Sequence, residues 1–243
     1  AIGLVASTTW LFGGLCRALM VGFCVQTAQR IGAGDERDAR NLVRQSIVSG
    51  LAFGLLLAAI GVALSGALPR WLGADAAIWA DAASYFFVFS LALPLFQLNR
   101  LAAGLLQASG NMRTPSVLLI LMCPLDVVFN FFLIFPTRQL GGFTVPGAGL
   151  GVMGAALGTA LAEAVVALLL CAALLLRSPM LRLRLGERLR LVPQQLKRAV
   201  QLAVPVALEQ AVMSGGQVAT TGIIAPLGTT SIAANSFAVT AEA

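Results

Sequence analysis

Six apolar runs dominate this chain, at residues 1–29, 46–68, 79–107, 115–135, 151–176 and 199–225, and a seventh begins at Ser231. Each reaches the roughly 20 residues that a helix needs to cross about 30 Å of hydrocarbon. Inside a bilayer there is no water for the backbone to bond, so runs of this length point to a bundle of helices. Composition agrees: of 243 residues 58% are apolar and only 11% charged, against about 25% charged in a soluble domain. The 25 glycines suit close helix contact in a membrane. The predicted fold class is all-α, a polytopic membrane helical bundle.

The sequence has no histidine and a single lysine, Lys197. A Ser-His pair, a His-ligated zinc and a P-loop lysine are therefore all unavailable to it. Cys16, Cys24, Cys123 and Cys171 fall inside apolar runs without CxxC spacing and read as small buried hydrophobes, with neither a metal site nor a disulfide framework implied. No cofactor is expected.

The positions of the basic residues set the orientation. Loops 30–45, 108–114 and 177–198 hold twelve of the sixteen Lys and Arg residues, the alternate loops only Arg70 and Arg138, and Arg17 and Arg100 lie within spans. By the excess of positive charge on the inner side, the first three loops are predicted to be cytoplasmic. Ala1 then lies outside, and a chain whose N-terminus stays in the cytoplasm needs one more helix upstream, so a first helix is expected to be missing. The first run also lacks the basic start of a signal peptide. Segment 177–198, RSPMLRLRLGERLRLVPQQLKR, alternates basic and apolar residues and suits the anionic inner leaflet. It has no aromatic residue to stack on bases, so nucleic acid is not the expected partner. Trp71 and Trp79 flank the 69–78 loop, where indole rings suit the headgroup boundary.

Ionisable groups inside spans cost roughly 2.5–3.5 kcal/mol each on insertion scales, which makes each a functional candidate. Five qualify: Arg17, Arg100, Asp126, Glu163 and Glu209. Asp126 and Asn130, in CPLDVVFNFFLIF, are four residues apart and share a helix face. Pro124 frees the carbonyl of Ile120 beside them. Such an oxygen cluster suits a hard cation such as Na⁺, and a carboxylate there can equally carry a proton; the alternative is a helix-helix hydrogen-bond pair. Thr159 and Glu163 repeat the spacing on GVMGAALGTALAE, where Gly154 and Gly158 suit close packing against a neighbour. For Glu163, cavity lining and interhelical bonding are both open. Glu209 follows Pro205 on a run that also carries Gln210, Ser214, Gln217, Thr220 and Thr221, which suggests a wet cavity or a hydrated helix end. Arg17 lies too deep to snorkel with ease, so it pairs with a carboxylate or faces water, and Arg100, next to Asn99 in a run of about thirty residues, is expected near the interface.

The order of these motifs resembles the multidrug and toxic compound extrusion (MATE) family: VQTAQRIGAGDERDA (25–39), GLLQASGNMRTP (104–115), DVVFNFFLIF (126–135), GVMGAALGTALAE (151–163), then PVALEQ (205–210) and PLGTTSIAANSF (226–237). The resemblance implies twelve helices in two six-helix lobes. Residues 1–176 would be helices two to six of the amino lobe, 177–198 a basic amphipathic cytoplasmic linker, and 199–243 helix seven with a stub of helix eight. It implies a secondary antiporter, not an enzyme, that expels amphipathic or cationic compounds in exchange for Na⁺ or H⁺. Asp126, Asn130 and Thr159 would be the cation-coupling residues, with the fifth-helix pair in exchanged order. Glu163, Glu209, Gln217, Arg17 and Asn99 would line the substrate cavity or ion pathway. The expected partners are small amphipathic or cationic molecules and the bilayer, and the expected state is a monomer in the cell inner or plasma membrane.

Three other readings compete. A related exporter of the same fold could move lipid-linked precursors or polysaccharides, for which a dense basic cavity would speak; only Arg17 is clearly deep. An intramembrane enzyme could use Asp126 and Glu163 as an acid pair. In a channel or structural subunit the acids would be interhelical glue.

Overall fold

The computed structural model describes residues 2–68, 76–140, 143–178, 180–181 and 191–224. Six helices follow one another among them: α1 (Ile2–Gly32), α2 (Glu36–Leu64), α3 (Ala76–Ala108), α4 (Arg113–Ile134), α5 (Gly151–Ala172) and α6 (Pro193–Ile224). Five stretches, Thr8–Gly32, Glu36–Leu64, Trp79–Ala108, Arg113–Ile134 and Gly151–Leu176, are long and apolar enough to cross a membrane. α6 is as long as these but is not among them, because Glu209, Gln210, Ser214 and Gln217 dilute its apolar residues. Arg70, Trp71, most of the basic linker and the segment expected to begin a further helix lie outside the described residues.

Two short turns at one end of the bundle explain why the expected motifs look as they do. α1 stops where Gly34 takes φ 77°, a left-handed conformation that costs glycine little, and Asp35 N then donates to Arg30 O at 3.0 Å. The Asp35 carboxylate at once caps α2, accepting from Asp38 N at 3.0 Å. The α3–α4 turn repeats the device. Gly110 has φ 85°, Asn111 N donates to Leu106 O, and the Asn111 amide oxygen accepts from Thr114 N at 3.1 Å. Stop and start signals one residue apart fold consecutive helices back on each other.

The 30–45 loop is shorter than expected. α2 already begins at Glu36, because Ala39, Leu42 and Val43 are buried and Arg40, itself buried, pairs with Glu36 one turn away at 3.4 Å. α6 likewise begins at Pro193, inside the expected linker, where proline's fixed φ suits a first helical position. The fold is all-α as expected, with two local additions. An antiparallel hairpin of β1 (Pro136–Leu140) and β2 (Phe143–Ala148) joins α4 to α5. One π-helical turn (Ala173–Arg177) extends α5.

α3 is the central helix, touching α1, α2 and α5, while α4 leans on α5 and α6 on α1. Two cores lie between them. One joins Phe23, Leu42, Leu101, Leu105, Leu170 and Leu174. The other joins Phe12, Leu57, Phe86 and Leu93, with the Phe12 and Phe86 rings edge to face at 5.9 Å. The outward side chains are apolar too: Val117, Ile120 and Val127 on α4 are all more than half exposed, as a face turned to lipid would be. Cys16 is buried, but Cys123 is exposed on α4, so the expectation that all four cysteines are buried fails there.

Candidate functional site

The polar groups of the middle of the bundle come together where α3, α4 and α5 meet. Gly154 and Gly158 make the meeting possible. A side chain at Gly154 would stand 2.6 Å from the Leu133 carbonyl oxygen, and one at Gly158 would collide with the Asn130 side chain. α5 therefore presses its backbone against α4, as the small-residue spacing predicts. In this antiparallel register the next turn sets Asp126 level with Ala162 and Glu163.

Glu163 is only 8% exposed and Asn99, on α3, 3%. The Asn99 amide nitrogen donates to Glu163 Oε2 and stands 3.8 Å from the Met122 sulfur. Glu163 thus makes an interhelical bond from α5 to α3. Both residues lie inside the bundle, between α3 and α5. Arg100 from α3 and Asp126 from α4 are the charged groups that face Glu163, and Tyr85 from α3 faces Asp126.

Three oxygens of this group, Asn99 Oδ1, Asp126 Oδ1 and Asn130 Oδ1, are sealed from solvent with no hydrogen-bond partner among the described residues. Buried oxygens left unpaired cost free energy, about 1–3 kcal/mol each, and here two lie one turn apart on α4 while the third comes from α3, making the region rich in acceptors. Such a site can receive a cation or a proton. Thr159 is half-buried beside Gly158.

The other candidates divide. Arg100 is exposed, and its guanidinium lies 3.8 Å from where a side chain at Gly13 would begin, in the middle third of α1, farther along the span than the expected interface; its charge reaches Cys16 and Glu163. The long arginine stem carries the charge along the helix, which a count of residues from the span's end does not capture. Arg17 is exposed on α1. Glu209 is exposed on α6 and belongs to a separate polar group. There Gln210 packs against Gly14 and donates to Ser214 Oγ at 3.3 Å, and Gln217 is half-buried.

Two sets of residues stand out that the sequence reading passed over. Gln97, on α3 against Gly50 of α2, is fully buried with both side-chain polar atoms unpaired among the described residues. An amide in an apolar run, three residues after Pro94, was the available signal. The second set is a clasp at the end of the bundle that carries the basic loops. Gln45 grips Val192 through two bonds, Nε2 to the carbonyl at 3.0 Å and the Val192 amide to Oε1 at 3.2 Å. Gln26 donates to the Gln195 carbonyl at 3.2 Å, and the Gln195 amide donates to both oxygens of Asp38, which also pairs with Arg30 at 3.0 Å. Beyond the clasp, Gly22 lets the backbone of α6 at Ala199 come against α1.

Known proteins share this arrangement. The MatE family model matches residues 1–132. A probable multidrug resistance protein NorM of Streptococcus pneumoniae (strain ATCC BAA-255 / R6) is 28% identical over 176 residues, covering 72% of this chain and 37% of the relative. A probable multidrug resistance protein NorM of Thermotoga maritima is 25% identical over 244 residues, covering 99% and 50%. The chain thus spans half or less of the curated relatives it matches. Among solved structures, a multidrug resistance MATE family transporter of the MOP superfamily in its inward-facing conformation superposes with a TM-score of 0.75 at 25% identity, over 88% of this chain and 46% of that one. A MOP superfamily transporter from Pyrococcus furiosus Vc1 (DSM3638) gives 0.82 at 23% identity, over 96% and 49%, and shows the same fold. The family's members are transporters and not enzymes. With the match covering more than half its length and the helices arranged as in the solved transporters, the chain belongs to the MATE family.

Proposed function

We propose that this chain works as part of a secondary antiporter that exports amphipathic, often cationic compounds in exchange for an inward-moving cation, Na⁺ or H⁺. The observation that carries the reading is the set of unpaired buried oxygens on Asn99, Asp126 and Asn130 around Glu163. Asp126, Asn130 and Thr159 are the proposed cation-coupling residues. Glu163, Glu209, Gln217, Arg17 and Asn99 flank the pathway. Neutralising Asp126 alters the affinity of the cavity for a charged cargo, and each ligand biases the inward-outward equilibrium by its differential affinity for the two states.

In the same proposal, residues 1–176 supply helices of one lobe, 177–198 the basic linker and 199–243 the start of the second lobe. The protein is a multi-pass monomer of the cell membrane with loops 30–45, 108–114 and 177–198 in the cytoplasm, by their excess of Lys and Arg. The test is uptake of a fluorescent organic cation into everted membrane vesicles under imposed Na⁺ or H⁺ gradients. Uptake driven by one gradient and abolished in Asp126→Asn is the expected result, and it names the ion. Unchanged coupling in folded Asp126→Asn would sink the reading.

One observation favours a second cargo class. Arg100 is exposed but its guanidinium lies at the level of Gly13, in the middle third of α1, so it joins Arg17 as a second arginine away from the helix ends. A lipid-linked or otherwise anionic cargo would use them. Transport of such a compound, with no uptake of organic cations under either gradient, is the outcome that would select this alternative.

A further inference from the structure

We infer that Glu163 and Asn99 together form a binding site for a single proton, closed as a cyclic acid–amide pair between α5 and α3. Both side chains are more than nine-tenths buried. The Asn99 nitrogen already donates to Glu163 Oε2, whereas Asn99 Oδ1 is sealed from solvent with no partner among the described residues.

An amide and a carboxylic acid match each other at two points. The amide N–H donates to the acid's carbonyl oxygen, and the acid's O–H donates to the amide's carbonyl oxygen. An ionised carboxylate only accepts, so with Glu163 charged only the first bond exists and Asn99 Oδ1 stays orphaned. One proton, taken from bulk water onto a Glu163 oxygen, supplies the missing donor. The bond gained is O–H on Glu163, and the net charge of the pair rises by one as it closes. The site is thus complete for H⁺ and incomplete without it.

The charged groups that face Glu163 come from both helices packed on α5: Arg100 from α3 and Asp126 from α4. They oppose each other in sign, so the charges on α3 and α4 bear on Glu163 in opposite directions. Closing the second bond also ties α3 to α5 across the core that holds Leu101, Leu105, Val166 and Leu170. Proton binding is thereby linked to the fit of two spanning helices.

The inference borrows its purpose from the antiporter reading but is tested without transport. Infrared spectra of the full chain in lipid vesicles, taken from acid to alkaline pH, are compared for wild type and Glu163→Gln. An amide keeps the shape of the neutral acid, so this variant is expected to fold. The wild-type minus Glu163→Gln difference should show one carboxylic acid C=O band that disappears as pH rises. In Asn99→Leu that band should move to higher frequency, because both hydrogen bonds are lost, and in Asp126→Asn its midpoint should shift while the band persists.

A difference spectrum with only ionised-carboxylate bands at every pH would overturn the inference. Should Glu163→Gln fail to insert, a wild-type spectrum unchanged by Asn99→Leu would do the same. The band without gradient-driven export would leave the proton site standing and remove the antiport reading. Export without the band would do the reverse.

Discussion

Two polar regions of this bundle are built on opposite principles. The clasp at the basic end joins segments about 150 residues apart in sequence, and nearly every polar atom in it has a partner: Gln45 holds Val192 twice, Gln195 bridges to Asp38, and Asp38 reaches Arg30. Gln195 Oε1 is its one unpaired buried oxygen among the described residues. The cluster in the middle of the bundle has the Asn99 amide donating to Glu163 and, weakly, to the Met122 sulfur, and three oxygens with no partner among the described residues. The clasp uses the start of α6, where the Val192 N–H has no partner within the helix and bonds Gln45, while the Val192 and Gln195 carbonyls accept a further bond each from Gln45 and Gln26. In mid-span most backbone groups are used within their own helix, so the amide and carboxylate oxygens there depend on other side chains or on something that arrives from outside. The clasp is a structural fastening, and the cluster is the place where the proposed antiport would receive its cation.

That contrast fixes the order of expected effects. The largest belongs to Gly158→Leu. The new side chain must displace Asn130 and part α4 from α5, at a cost of about 1–3 kcal/mol or more for overpacking, and a thermal-denaturation scan in detergent should show a loss of several degrees together with loss of coupling. Gln45→Ala should cost less, on the order of 1–2 kcal/mol for two neutral hydrogen bonds, measured the same way, and should leave cation dependence intact. Asp35→Ala, which removes the cap of α2, should cost about 1 kcal/mol. The smallest effect is expected for Arg30→Gln. The Arg30–Asp38 pair is more than a quarter exposed on both sides, so its loss should cost about 0–1 kcal/mol and less at high salt. A larger loss of coupling from Gln45→Ala than from Gly158→Leu would erase the distinction between the two regions.

The membrane spans were legible because hydrophobic length is a strong local signal: the runs at 79–107 and 115–135 match α3 and α4 to within a few residues. The small-residue spacing of Gly154 and Gly158 was legible for the same reason, since close approach at one face of a helix needs nothing from elsewhere in the chain. The start of α2 was misplaced because Arg37, Arg40 and Arg44 look like loop residues in a hydropathy window, whereas the helix buries Arg40 together with Leu42 and Val43. The hairpin between α4 and α5 carried a signal that went unused, Gly141-Gly142 between two short extended segments. In the site, Asp126 and Asn130 could be found by their i, i+4 spacing on one helix. The Asn99–Glu163 bond could not, because its partners are 64 residues apart. Only the packing of α5 on α3 brings them together. Arg100 was placed at the interface by counting along the chain, and the reach of its side chain moved it to the middle.

The most direct test of the account is a paired measurement of gradient-driven efflux with Asp126→Asn and Gln45→Ala, each shown by thermal denaturation to be folded in the membrane. Asp126→Asn is expected to abolish the dependence of export on the Na⁺ or H⁺ gradient, while Gln45→Ala lowers stability and leaves that dependence in place. Full gradient dependence in Asp126→Asn, or its loss in a folded Gln45→Ala, would contradict the claim that the coupling cation is received by the mid-bundle cluster.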